Sequence, residues 1–303
     1  MGLPMASHLP TAGYTLSAYD IDPRALERLR ARAPAAAILD SPQAVAAVSD
    51  IVITMLPNGR EVQSAVFGPA GLAEGLSSGS LLLDTSSSEP WYTRETSEKL
   101  ARMGVAMVDA PVSGAQIGAE KAELVFMVGG DTSALERVRP ILHVLGKSVF
   151  HLGAVGCGHA MKSINNLITA VTFLATTEGL AIGRSYGLDP AVMVDVLNVS
   201  TGMSWISRTH IGQRILTRRF DDPFKLDLMV KDIEIALKIA SDQHLEVPLS
   251  LANRALWLRT QREIPGGSSV SELVRALEKH WGVEISSLVE GEGDDRSNDM
   301  PSG

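Results

Sequence analysis

The stretch from Gly156 to Gly187, roughly thirty residues without a proline, most constrains what this chain can fold into. Apolar side chains and threonines cover almost its whole circumference, and a helix that is apolar all round is normally buried. We therefore expect a long helix through the protein interior. Its threonines, together with Asn165, Asn166 and Glu178, favour a protein core over lipid as its surroundings.

Polar residues interrupt this stretch near its start, where Lys162, Asn165 and Asn166 follow two glycines. Lys162 and Asn166 are four residues apart, so they share one helix face. Because removing an ammonium group from water is costly, a lysine here indicates a ligand site. In the alternative interpretation, Lys162 extends to solvent and the two asparagines are polar edge residues.

The preceding half of the chain alternates short apolar runs with helix-like segments. This pattern predicts an α/β fold with a doubly wound, mostly parallel sheet, whose ligands bind at the carboxyl ends of the strands. The predicted strands lie at residues 14–20, 35–39, 50–56, 80–84, 105–110, 124–130 and 148–153.

Strand signals stop after Gly153, and the rest of the chain is helix-like. We therefore predict a first domain at residues 1–153, an all-helical domain at 154–285 and a disordered acidic tail at 286–303. Beyond the central helix, the predicted helices lie at residues 190–199, 203–216, 226–244, 248–261 and 271–281.

Several strand ends carry polar residues that suit a ligand. Asp20 ends the first predicted strand, where a carboxylate could bind the ribose hydroxyls of NAD and repel the extra phosphate of NADP. Gly2 lies about twenty residues earlier, as the third glycine of a dinucleotide turn would. Alternatively, Asp20 and Asp22 only start the next helix, with Pro23 in its first turn.

Two later loops extend this pattern. The serines before Glu89-Pro90 include Ser86 and Ser87, and taken alone they are typical of helix capping. Ser113 and Gly114 open a loop of small residues whose hydroxyl and backbone amides could hold a carboxylate. Lys231 lies four residues from Asp227, so its first interpretation is an exposed ion-pair partner.

Composition excludes several classes of protein. The chain has 35 acidic against 27 basic residues and no basic stripe interleaved with aromatic residues, which argues against nucleic acid. Cys157 is the only cysteine, so the sequence offers neither a disulfide framework nor a cysteine zinc site, and we predict no metal. With no signal peptide or membrane anchor recognised, we expect a cytoplasmic protein.

Taken together, the motifs resemble those of the β-hydroxyacid dehydrogenases, the family of 3-hydroxyisobutyrate dehydrogenase, up to about Val283. They are, in chain order, Met1-Gly2-Leu3-Pro4-Met5-Ala6, Met55-Leu56-Pro57, Asp84-Thr85-Ser86-Ser87, Asp109-Ala110-Pro111-Val112-Ser113-Gly114, Gly156-x-Gly158-x-x-x-Lys162-x-x-Asn165-Asn166 and Lys231-Asp232.

The resemblance implies a Rossmann domain, an interdomain helix and a helical domain that forms a homodimer or homotetramer. It implies an NAD-dependent oxidoreductase acting on a small 3-hydroxy acid, 3-hydroxyisobutyrate-like, or its semialdehyde. Lys162 would be the general acid/base, since burial and a nearby positive charge lower the pKa of a lysine. Asn166 would orient the substrate hydroxyl, and Ser113 and Gly114 would bind its carboxylate. The cofactor residues would be Gly2, Asp20, Leu56, Pro57, Glu61, Ser86, Ser87 and Lys231.

The sequence departs from the family pattern at three places. Ala115 replaces a second glycine after Gly114, and Met203 replaces an arginine that many relatives carry. The first strand and the first two glycines of the dinucleotide turn are absent. We therefore expect the natural start to lie upstream, with Met1 an internal methionine.

Other functions compete with this interpretation. A catalytically silent Rossmann scaffold for oligomerisation is favoured by the missing glycine turn and opposed by Lys162, Asn166, Ser113 and Lys231. A 6-phosphogluconate dehydrogenase-like enzyme shares the glycine–lysine segment but continues with histidine–asparagine and is much longer. Imine reductases share the fold and usually replace the lysine.

Overall fold

The computed structural model describes residues 1–287, which form two compact units. The first unit is Met1–Asn165, and the second begins at Asn166, inside the long central helix. The predicted acidic tail therefore lies outside the described residues, apart from its first two positions.

The first unit contains the strands, and each of the seven predicted runs overlaps one. An eighth short strand, which is too brief for an apolar run to signal, follows Pro111. The strands are β1 (Ser17–Ala18), β2 (Ala37–Ile38), β3 (Ile51–Thr54), β4 (Leu81–Asp84), β5 (Ala106–Asp109), β6 (Val112–Ser113), β7 (Leu124–Val128) and β8 (Gly146–His151).

The strands form three small sheets that are mostly parallel, as the sequence predicts. β1 pairs with β2, the order of the second sheet is β3-β4-β5, and β7 pairs in parallel with β8. Only β6 runs antiparallel, against β7. The register places Asp84 opposite both Thr54 and Asp109, so three polar strand ends lie side by side.

Helices cover both faces of the central sheet because its strands are buried on both sides. On β4, Leu81 and Leu83 join one apolar cluster with the helices at 2–11 and 132–145, whereas Leu82 joins another cluster with the helices at 59–67 and 90–101. This alternation follows the two-residue period of a strand. The helices of this unit are α1 (Gly2–Thr11), α2 (Pro23–Arg32), α3 (Pro42–Ala47), α4 (Gly59–Phe67), α5 (Leu72–Gly75), α6 (Pro90–Ala101), α7 (Ala115–Glu120) and α8 (Thr132–Leu145).

The central helix α9 (Cys157–Tyr186) begins in the first unit and ends in the second. Up to residue 287, the regular structure of the second unit is otherwise helical, and this part packs around Phe173, Leu180 and Trp257. The segment predicted as a helix at residues 203–216 is a π-helix, Ile206–Ile215. The remaining helices are α10 (Pro190–Asn198), α11 (Leu226–Asp242), α12 (Pro248–Glu263) and α13 (Glu272–Trp281).

The expectation that the central helix is buried all round is wrong. Ile168 is 57% exposed, Ile182 71% and Tyr186 86%, whereas Ala170, Phe173, Thr177 and Leu180 on other faces are buried. By length and composition α9 could cross a membrane, but nearly half of its most apolar part is buried inside the protein. One face of an apolar helix is therefore left at the surface of this chain.

Candidate active site

Two buried aspartates lie at the carboxyl ends of neighbouring strands, where an α/β sheet binds its ligands. Asp84 ends β4, and Asp109 ends β5 directly opposite it. Neither residue has measurable exposure. A buried carboxylate needs hydrogen-bond donors, and each aspartate recruits them from a different loop.

Asp84 organises the loop of residues 85–88, which the sequence assigns to the cofactor. Its carboxylate accepts hydrogen bonds from Thr54 Oγ1 at 2.9 Å, Ser86 N at 3.0 Å and Ser88 Oγ at 3.2 Å. Leu56 N in turn donates to Ser86 Oγ at 2.9 Å. The structure thus joins two predicted cofactor segments, the loop after β3 and the loop after β4.

The accessible parts of these segments differ. Ser86 is fully buried, whereas Ser87 is partly exposed and Pro57 is exposed. Glu61 is exposed in the first turn of α4, and its backbone N–H donates to the capping Asn58 Oδ1 at 3.0 Å. Ser86 therefore shapes the loop from inside, while the other three residues lie nearer the surface.

Asp109 anchors the start of the central helix. Its Oδ1 accepts from Gly156 N at 2.7 Å, and its Oδ2 accepts from His159 N at 2.9 Å. Burial raises the pKa of Asp109, an effect that the nearby His159 and the two backbone donors oppose. The carboxylate satisfies amides that a helix N-terminus leaves without a partner inside the helix.

The predicted substrate loop has a different character. Ser113 ends the short strand β6, and Gly114 and Ala115 follow it with φ angles of +125° and +54°. Gly114, Ala115 and Gln116 are all exposed. The backbone of this loop is therefore accessible and adopts conformations that favour glycine, including at Ala115.

Asn166 and Lys231, far apart in sequence, meet at Asp232. Asn166 Nδ2 donates to the buried Asp232 Oδ2 at 2.6 Å, and Lys231 Nζ lies 3.5 Å from Asp232 Oδ1. The expected pairing of Lys231 with Asp227 is wrong, because Asp227 accepts from Gln261 Nε2 and Gly267 N. Lys231 is also half-buried, which the exposed interpretation did not anticipate.

Lys162 lies one helical turn before Asn166 on α9, in a half-buried position. Four residues along a helix return to the same face, so the sequence expectation that these two side chains share a face is met. The hydrogen bond to Asp232 fixes which way the Asn166 amide points.

The two residues predicted to bind the dinucleotide phosphates and ribose lie at ends of elements. Gly2 opens α1, whose first turn has no side-chain cap, an arrangement in which backbone N–H groups can meet a pyrophosphate. Asp20 is exposed after β1 and accepts from Asp22 N at 2.8 Å, while Asp22 caps α2. Asp22 thus caps α2 and Asp20 contacts this capping turn, as the helix-start alternative expects. The cofactor role of Asp20 stays a prediction.

Sequence reasoning missed the partners that hold these residues. Asp232 is buried and accepts from Asn166, and His159 is buried against the carbonyl of Ser86. Thr93 is buried and contacts His159. Asp232 stands in the Lys231-Asp232 motif, and His159 lies between Gly158 and Lys162, so both had an available signal. Thr93 had none, because a lone threonine in a helix carries no spacing pattern. Across residues 1–287, no group of His, Cys, Asp and Glu is arranged to hold a metal ion.

Two family models match the two parts of the chain. Residues 1–153 match the NAD binding domain of 6-phosphogluconate dehydrogenase, and residues 156–277 match the domain described as NAD-binding of NADP-dependent 3-hydroxyisobutyrate dehydrogenase. The chain is 32% identical to 2-(hydroxymethyl)glutarate dehydrogenase of Eubacterium barkeri, covering 94% of each. It is 34% identical to 3-hydroxyisobutyrate dehydrogenase of Pseudomonas aeruginosa, covering 95% of this chain and 94% of the relative.

A solved structure extends the similarity to the fold. The Mycobacterium tuberculosis 3-hydroxyisobutyrate dehydrogenase, described with L-serine, superposes with a TM-score of 0.83 at 30% identity, covering 91% of this chain and 95% of that one. The predicted fold, a Rossmann-type domain followed by helices, is confirmed, as is the predicted family. The chain belongs to the β-hydroxyacid dehydrogenase family and is an NAD-dependent oxidoreductase that acts on a CH–OH group.

Proposed function

We propose that this chain transfers hydride between NAD and a small 3-hydroxy acid or its semialdehyde, with Lys162 as general acid/base. The observation that carries the proposal is the bond of 2.6 Å from Asn166 to the buried Asp232, one helical turn after Lys162. A buried carboxylate that holds a carboxamide in one orientation preorganises it for a ligand. The dehydrogenases among the relatives described above support the substrate class.

In the oxidation direction, the substrate hydroxyl would lie between Asn166 and Lys162. Asn166 orients the hydroxyl through its amide, whose direction Asp232 fixes. Neutral Lys162 accepts the hydroxyl proton through Nζ while the carbon–hydrogen bond breaks and the carbon–oxygen bond becomes a carbonyl. The chemistry that a bound NAD would supply is that of the hydride acceptor. Reduction reverses these transfers, with Lys162 returning the proton.

The substrate carboxylate would bind at the loop that begins with Ser113 and Gly114. The loop is exposed, and Gly114 has no side chain to cover its backbone amides. A hydroxyl and backbone N–H groups are suitable donors to a carboxylate. Ala115 adds one methyl group where glycine would have none, which leaves less space for a substrate beside this loop and favours small acids.

Three variants test the assignment, using NADH formation over a panel of 3-hydroxy acids. Lys162→Ala should lower kcat by about 10²–10⁴-fold, the usual contribution of general acid–base catalysis. Asn166→Ala should raise KM for the acid and lower kcat. Lys99→Ala is the matched control, because Lys99 is an exposed helix lysine paired with Glu95. Full activity in Lys162→Ala would refute the acid/base role, and inactivity of the unaltered chain on every acid would refute the substrate class.

Preference for NAD over NADP would come from Asp20. Its carboxylate is exposed at the end of β1, where it would repel a 2′-phosphate and accept from the ribose hydroxyls. Asp20→Ser should weaken NAD binding and strengthen NADP binding. Unchanged affinities for both cofactors would show that Asp20 serves only the helix start.

We also propose that the protein is a cytoplasmic homodimer or homotetramer. Ile182 and Tyr186 on α9 and Val192 and Val196 on α10 are exposed apolar side chains in one chain. Large exposed apolar areas usually bind another protein surface, and a second copy is the occupant that a homo-oligomer provides. Light scattering should give a molar mass that is two or four times the 32.3 kDa of one chain. Ile182→Glu should lower this molar mass toward that of one chain.

A further inference from the structure

We propose that His159 is a positioning residue that sets the orientation of the Ser86–Ser87 peptide and thereby the affinity for NAD. This inference rests on the proposed role of Ser86 and Ser87 in cofactor binding. His159 lies in the first turn of α9, three residues before Lys162, and its side chain is fully buried.

The ring reaches two other segments of the first unit. His159 Nε2 lies 3.1 Å from the carbonyl oxygen of Ser86, and Nδ1 lies 2.7 Å from Thr93 Oγ1. A carbonyl oxygen can only accept, so Nε2 must carry a proton and donate it. His159 thus supplies a directed N–H from the catalytic helix to the cofactor loop.

Each polar atom of Ser86 has one partner, and only one of them comes from α9. Asp84, at the end of β4, accepts from Ser86 N in the loop that follows it. Leu56 N donates to Ser86 Oγ, and this bond joins the loops after β3 and β4. The carbonyl of Ser86 is bound by His159. The histidine therefore links the loop to the helix that carries Lys162.

The consequence for Ser87 follows from peptide geometry. The Ser86 carbonyl and the Ser87 N–H belong to one planar peptide group and point in opposite directions. When His159 fixes the Ser86 carbonyl, it also fixes the Ser87 N–H on the opposite side. Loss of the histidine bond would allow this peptide to rotate, and a ligand that uses the loop would have to order it again on binding.

Two carboxylates keep the ring in place without taking its Nε2 donor. Asp109 Oδ2 accepts from the His159 backbone N–H at 2.9 Å and fixes where the ring leaves the helix. Asp84 Oδ2 lies 3.8 Å from Nε2, which is too long for a hydrogen bond, so the Nε2 proton is directed to the Ser86 carbonyl. The ring position is therefore determined by the ends of β4 and β5 together.

Two substitutions separate the contacts of the ring. In His159→Gln the amide nitrogen can occupy the position of Nε2 and keep the donor to Ser86, whereas in His159→Asn it matches Nδ1 and loses that donor. The measurement is the Kd for NAD and NADH by fluorescence titration of the full chain, with unfolding temperatures recorded. Lys99→Ala, at an exposed position paired with Glu95, is titrated in parallel as the control and should bind NAD with little change.

We expect His159→Asn to weaken NAD binding by about five- to tenfold, the worth of one hydrogen bond, and His159→Gln to remain within about twofold of the unaltered chain. A purely structural histidine would give equal losses in both variants, and that result would overturn the proposal. So would unchanged NAD binding in both.

Two further outcomes also decide the question. If His159→Asn does not fold, His159→Phe takes its place, because it fills the ring volume without a donor: NAD binding five- to tenfold weaker than in His159→Gln supports the proposal, and equal affinities of the two variants overturn it. If the unaltered chain binds no NAD, the assignment of the cofactor loop fails together with this inference. Normal binding by the unaltered chain with equal behaviour of the variants overturns the His159 proposal alone.

Discussion

The segments that follow Asp84 and Asp109 differ sharply in burial and backbone conformation, although the two residues end adjacent strands and are both fully buried. After Asp84, residues 85–88 stay largely inside the protein and are held by hydrogen bonds to neighbouring strands and to α9. After Asp109, the chain forms a short antiparallel strand and then exposes Gly114 and Ala115 in unusual backbone conformations.

The difference matches the two ligands proposed for these loops. A common cofactor benefits from a loop that is already ordered, because little entropy is lost when it binds. A substrate loop at the surface, with backbone amides uncovered, can vary between enzymes without disturbing the sheet. If this comparison is right, the loop of residues 85–88 depends on the buried Asp84 carboxylate, and the loop that begins with Ser113 and Gly114 depends on positive backbone φ angles.

Removal of the Asp84 carboxylate should have the largest effect. Asp84→Ala leaves Thr54 Oγ1, Ser86 N and Ser88 Oγ without their acceptor in a buried region. We expect a loss of about 3–4 kcal/mol in the free energy of unfolding, measured in urea. Asp40→Ala, at an exposed position, is the control and should change stability by less than about 0.5 kcal/mol. Equal effects would show that the loop does not depend on Asp84.

The second prediction concerns the backbone at Gly114. A Cβ added at Gly114 or at Gly118 would meet the same Leu124 Cδ2 at 3.4 Å, but only Gly114 has positive φ, at +125°. Gly114→Ala should therefore cost about 2 kcal/mol, whereas Gly118→Ala should be close to neutral. If both variants lose the same stability, crowding against Leu124 and not backbone strain distinguishes this loop.

The third prediction uses pH to probe Asp109. Because its pKa is raised in the folded state, the folded protein holds this proton at pH values where the unfolded chain has released it. The Asp109 contribution to stability is therefore full below the unfolded pKa and is lost as pH rises through the folded pKa.

Urea titrations at several pH values, compared between the unaltered chain and Asp109→Asn, isolate this contribution. Relative to the variant, the unaltered chain should lose stability with rising pH, by at most about 1.4 kcal/mol per pH unit. The amide of Asp109→Asn also changes the contacts with Gly156 N and His159 N, but this changes the free energy of unfolding equally at every pH. It therefore does not affect the slope of the difference with pH. A difference that is flat, or that rises with pH, would contradict the burial argument.

The smallest effect is expected at Ala115, whose φ of +54° is costly for a residue with a Cβ. Ala115→Gly should raise stability by up to about 1 kcal/mol, measured by urea unfolding. Ala31→Gly, in the exposed last turn of α2, should instead lower it by about 0.5–1 kcal/mol. Loss of stability in Ala115→Gly would mean that the alanine is not strained.

The sequence predicted the secondary structure of the first unit well, because each buried parallel strand leaves an apolar run of its own length. It placed Leu56 and Ser86 in one cofactor site, and the structure joins them by a hydrogen bond. It did not anticipate the exposed face of α9, since an apolar helix surface does not reveal whether its cover belongs to the same chain. Helix spacing also predicted the wrong partner for Lys231, which pairs with its neighbour Asp232 and not with Asp227.

By itself the sequence determined the family and the alternation of strands and helices, because these depend on local periodicity and short motifs. The roles of Lys162 and Asn166 stay predictions. The tertiary structure alone decided that His159 meets Ser86 and that Asp232 holds Asn166. Those contacts join positions 73 and 66 residues apart. The reason is that a buried polar side chain needs a partner in space, and only the packed fold determines which distant residue provides it.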